Sequence, residues 1–100
     1  MIHELPFRFP LKYGLHARPA SAFQDLANLY ASSITLVNEE SHATANGKST
    51  LALVGTMTKE GDRCVVRVDG VDGDRAADAF RKFLADVLPH CDDELPPPAT

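Results

Sequence analysis

Tryptophan is absent from the 100 residues, cysteine occurs twice, and basic residues are the minority charge. Each shortage excludes something. The two thiols, Cys64 and Cys91, make neither a disulfide framework nor a zinc site, and they suit a reducing cytoplasm, where the protein is expected. Lys and Arg number 10 against 14 Asp and Glu, a formal net charge of −4, which argues against a nucleic-acid partner. No apolar run approaches the roughly 18–20 residues of a bilayer span, so no membrane insertion is expected. The opening stretch, MIHELPFRFPLKYG, lacks the basic start and long apolar core of a signal peptide. No GxGxxG, P-loop or GxSxG pattern occurs. His3, His42 and His90 are scattered and pair with no carboxylates at metal-ligand spacing, so neither a metal nor a bound cofactor is expected.

What is present is the composition of a soluble globular domain, 44% hydrophobic and 24% charged, at a length typical of one domain. Residues 3–9 alternate polar and apolar side chains, as a half-buried strand does, and Pro6 makes it an edge candidate. Over residues 17–30, Ala20, Phe23, Leu26, Ala27 and Tyr30 recur at helical spacing, with Pro19 tolerated in the first turn. Residues 34–37 read as a β-branched strand, and a short strand follows around 42–45. Asn46-Gly47 is a turn, and Ser49 can cap a short helix carrying Leu51, Leu53 and Val54. Residues 64–68 read as a central strand, in which Cys64 is expected to be a buried, inert thiol. Residues 74–88 carry the stripe of an amphipathic helix.

Four strands, two long helices and one short helix imply an α+β fold. The expected architecture is an open-faced sandwich, a four-stranded, largely antiparallel sheet with the helices packed on one face. Residues 1–88 form one domain without internal repeat. Residues 89–100, PHCDDELPPPAT, hold three acids, no Lys or Arg and four of the seven prolines. They read as an acidic, proline-rich tail or interdomain linker, with Asp92, Asp93 and Glu94 a solvated segment rather than an acid/base pair.

Residues 14–20, GLHARPA, carry the chemistry. A histidine stands between a turn glycine and a helix whose first-turn N–H groups and dipole suit an anion. Arg18 adds a cation with a planar fork matched to phosphate oxygens, and an imidazole near neutrality can act as a nucleophile. His16 can therefore accept a phosphoryl group and hold it against Ala17 and Arg18.

The same seven residues closely resemble the active-site signature of the phosphocarrier of the bacterial sugar phosphotransferase system (PTS), the histidine-containing protein HPr. The likeness continues through Asn46-Gly47-Lys48-Ser49, Gly61-Asp62 and the 70–73 entry to the last helix, so it spans about residues 3–88. It implies that enzyme I, charged from phosphoenolpyruvate, phosphorylates His16 on Nδ1, and that the group passes to IIA components. In this reading Arg18 stabilises the charge, and the chain is a carrier rather than a stand-alone enzyme. Ser49 matches the family's regulatory serine, although capping alone explains it. A surface made by the His16 loop, the start of the first helix and the short helix after Ser49 is the implied docking face. Thr50 stands where the family usually has a large hydrophobe, a departure expected to alter partner choice; Thr50 and Leu51 are the docking candidates, with Leu53 a further one that reads more readily as core. The spacing from His16 to Ser49 is 33 positions, about two longer than usual, through the 39–43 loop. The 49–56 run resembles the carrier domain of multiphosphoryl transfer proteins, where carrier, enzyme I and IIA domains share one chain. It implies an N-terminal carrier domain of such a chain. The alternative is a regulatory module of the same fold acting through protein contacts alone; relatives of that kind replace the histidine.

Overall fold

Alternation along each strand sets up one apolar face, and strand pairing joins those faces into a continuous layer. The computed structural model describes residues 2–93. Strands β1 (Ile2–Arg8), β2 (Ser33–Asn38), β3 (Thr44–Asn46) and β4 (Arg63–Asp69) form one sheet in the order β1-β4-β2-β3, with every neighbouring pair antiparallel. The register lines Leu5 up with Val66, Val66 with Leu36 and Leu36 with Ala45, a row of buried side chains from edge to edge. β1 is an edge strand, which suits Pro6, a residue unable to donate to a second ladder.

Helices α1 (Ala17–Ala27), α2 (Thr50–Gly55) and α3 (Gly73–Lys82) cover that face. α1 buries Pro19, Ala20, Phe23 and Ala27, and α3 buries Ala76, Ala77 and Phe80. The rings of Phe23, Phe80 and Phe83 meet between the helices with centroids 4.9–5.9 Å apart, in tilted and edge-on packing. This is the open-faced α+β sandwich expected from the pattern. Cys64 is buried in β4, and burial, reinforced by Asp62 and the nearby glutamates, pushes its thiol up to about 12. It is inert at neutral pH.

Three boundaries differ from the sequence expectation by more than one residue. α1 ends at Ala27 and unwinds through turns in which Leu29 and Tyr30 donate to Leu26 and Ala27. β3 begins at Thr44 rather than 42, because buried Asn38 closes the preceding loop, its Oδ1 accepting from the N–H groups of Glu40 and Ser41. His42 there takes φ 64, which a strand does not allow. The last helix is α-helical only to Lys82. A π turn over Phe83–Val87 and a 3-10 turn over Leu88–His90 follow. Pro89 has no N–H to donate back along the helix, so the ladder does not run on past Leu88. The proline run 96–98 and Glu94 lie outside the described residues.

Candidate functional site

The approach to His16 is a turn pinned from below. Gly14 takes φ +72 and donates to the Leu11 carbonyl, and the Leu15 N–H donates to the Thr58 carbonyl at 2.9 Å. Thr58 is itself fixed. Its hydroxyl accepts from the Nδ2 of Asn38 at 3.0 Å, and the same Nδ2 donates to the Asp62 carboxylate at 3.0 Å. The Asn38 bond, followed by the Lys59 N–H, lowers the pKa of Asp62. Leu15 is buried, so the chain enters α1 at a set angle.

His16 is the N-cap of α1, with extended backbone and no capping bond from its side chain. Its carbonyl accepts from Ala20, while the N–H groups of Ala17 and Arg18 lie in the first turn, where the helix supplies no acceptor. Arg18 and Ala17 are exposed beside it. The Tyr13 and His16 rings stand nearly perpendicular at 87°, centroids 6.4 Å apart. Tyr13, His16, Val54, Met57 and Lys59 line an open groove of about 340 Å³.

Asp92 corrects the solvated-tail expectation. Its side chain is only 9% exposed, and both carboxylate oxygens lie 2.9 Å from His16 Nε2. Burial of Leu88 anchors the last turn on the core, and Pro89 starts a new turn that brings the chain back over the start of α1. Cys91 lies there too. Its thiol is pushed up by burial and by Asp92, and Arg18 opposes the shift.

The second group of expected residues separates. Ser49 caps α2, its Oγ accepting from the Ala52 N–H at 3.1 Å. Thr50 turns to α1 instead of outward, its N–H and hydroxyl both donating to Gln24 Oε1 at 2.8 and 2.9 Å. Leu51 is 85% exposed, whereas Leu53 is wholly buried. Sequence reasoning missed Met57, 81% exposed with φ 56, and Tyr13. The position of Tyr13 directly before the GLHARPA motif was the available signal for it; nothing in the pattern marked Met57.

The family model for the PTS HPr component phosphorylation site matches residues 6–86. Multiphosphoryl transfer protein 2 of Escherichia coli K12 is 41% identical over 85 residues, 85% of this chain but 10% of that protein, so the chain spans about a tenth of that relative's length. Phosphocarrier protein HPr of Mycoplasma capricolum is 35% identical over 76 residues, covering 76% of this chain and 83% of that one. A solved histidine-containing phosphocarrier protein of Mycoplasma shares the fold with TM-score 0.78 at 30% identity, across 86% of this chain and 96% of its own. With a match over most of its length, on the fold and around the His16 turn, the chain belongs to the HPr phosphocarrier family of the PTS.

Proposed function

We propose that this chain is a cytoplasmic phosphohistidine carrier. His16 accepts a phosphoryl group on Nδ1 from enzyme I, which draws it from phosphoenolpyruvate, and hands it to a IIA component. One observation carries the reading: a half-exposed histidine stands at the N-terminus of an 11-residue helix, with its side chain making no cap bond. The ring stands, with Nε2 against Asp92, at the end of the helix that favours negative charge. The N–H groups of Ala17 and Arg18 and the Arg18 guanidinium are suited to hold phosphoryl oxygens. No resident cofactor is needed, because the transferred group arrives on one protein and leaves on another.

The exposed Leu51 and the groove beside His16 support a shallow docking face of the kind that exchange between partners requires. The likeness to multiphosphoryl transfer proteins supports tethering to an enzyme I domain, which raises the local concentration into roughly the millimolar range for short linkers. Incubation with radiolabelled phosphoenolpyruvate and enzyme I should add one acid-labile phosphate, and His16→Ala should abolish it without unfolding the domain. Failure of the wild-type chain to label with any enzyme I, including one from its own genome, refutes the carrier. For the tether, a stop codon directly after Thr100 in the native gene refutes it.

A further inference from the structure

His16 and Asp92 are 76 positions apart, yet Asp92 grips Nε2 with both oxygens at 2.9 Å. A carboxylate accepting from Nε2 requires the proton on that nitrogen, and in the neutral ring it leaves the lone pair on Nδ1. The grip is braced from behind. Leu88 is 1% exposed, the Cys91 N–H donates to the Leu88 carbonyl, and the Asp93 N–H donates to the His90 carbonyl. His90 Nδ1 lies 2.8 Å from the Asp93 carboxylate, a further tie within the turn. With 9% of its side chain exposed, Asp92 meets little competing water.

We infer that Asp92 is a positioning residue for phosphoryl transfer at His16, an inference that rests on the carrier function proposed above. Its carboxylate keeps the proton on Nε2 and presents Nδ1 as the nucleophile. In the transfer the Nδ1 lone pair forms a bond to phosphorus. The bond between phosphorus and the donor group on enzyme I breaks, and its electron pair returns to that group. The Nε2 proton stays on His16 throughout. Bonding of phosphorus at Nδ1 puts positive charge on the His16 ring, and the Asp92 carboxylate faces that charge across Nε2. In transfer onward, a nucleophile of the acceptor bonds to phosphorus, the Nδ1–P bond breaks, and its electron pair returns to His16.

The test compares the full chain with its Asp92→Ala, Asp92→Asn and Asp92→Glu variants. NMR of ¹⁵N-imidazole-labelled protein reads the His16 Nε2–H directly. The wild type should show it as a slowly exchanging, hydrogen-bonded proton, and Asp92→Ala should lose it. At saturating enzyme I, the labelling rate of Asp92→Ala should fall roughly tenfold, as on loss of a carboxylate behind a working histidine. The half-saturating enzyme I concentration should stay within about twofold. Asp92→Glu should recover part of the rate, and Asp92→Asn less. An Asp92→Ala variant that keeps the Nε2–H signal or labels at the wild-type rate overturns the inference. So does one whose defect lies in half-saturation alone, which would make Asp92 a docking residue. If the wild type fails to label, the carrier function falls and the transfer role with it. A defect confined to the variants falls on Asp92 only.

Discussion

Gly14 packs so closely on Thr58 that a Cβ at position 14 would lie 2.7 Å from the Thr58 carbonyl oxygen. That carbonyl already accepts the Leu15 N–H, so the turn delivering His16 is registered on the loop beneath it. Gly14→Ala meets both this contact and a φ of +72. It should lower stability by about 1–2 kcal/mol for the left-handed backbone alone, and it should slow labelling of His16 as the turn shifts. Gly55, with nothing within 4 Å of its Cβ position, is the control: Gly55→Ala should be neutral or slightly stabilising. Urea denaturation of both variants checks the contrast. Equal costs would show that the turn relaxes out of both the Thr58 contact and the left-handed backbone.

The three-ring cluster predicts where the domain is most sensitive. Phe80 is wholly buried between Phe23 and Phe83. Phe80→Ala should cost about 3–5 kcal/mol in equilibrium unfolding, from lost transfer energy and the cavity left behind. A loss below about 1 kcal/mol would mean that the two helices close over the gap.

Asp72 predicts a pH dependence. Its carboxylate accepts from the Ser32 hydroxyl and from the N–H groups of Ser32 and Ala31, so it ties the α3 entry to the turn before β2. These bonds, the Ser32 hydroxyl foremost, hold it down at about 2, against an ordinary value of 3.8. The unfolded chain therefore takes up the proton first as acid is added. The stabilisation is complete above about pH 4 and drains away as pH falls through about 2. Asp72→Ala should lower the melting temperature by several degrees at pH 7, with the gap to wild type narrowing below pH 4. A gap that is constant with pH would assign the effect to packing.

Leu51 separates docking from stability. At 85% exposure it touches little, so Leu51→Ala should leave unfolding within about 0.5 kcal/mol of wild type. If Leu51 anchors enzyme I, the half-saturating enzyme I concentration should rise roughly tenfold, the equivalent of about 1.4 kcal/mol. An unchanged value would move the anchor elsewhere, with exposed Met57 next in line.

The strands, the helices and the GLHARPA turn were legible in the linear chain because their determinants are local. Period-2 alternation specified the apolar face of each strand, the stripe over 17–30 specified α1 up to its last turn, and Ser49 supplied its own cap three residues from its donor. Spacing along the chain there equals spacing in the structure. The rest depended on what lies across from what. Thr50 faces Gln24, Asn38 joins Thr58 to Asp62, and Asp92 closes on His16 from 76 positions away. A composition-based reading assigned Asp92 to solvent because acids beside prolines usually stay there. Burial of Leu88 and the turn begun by Pro89 decided otherwise. Once the last helix is anchored on the core, the few residues after it can reach only a small volume, and His16 stands within it.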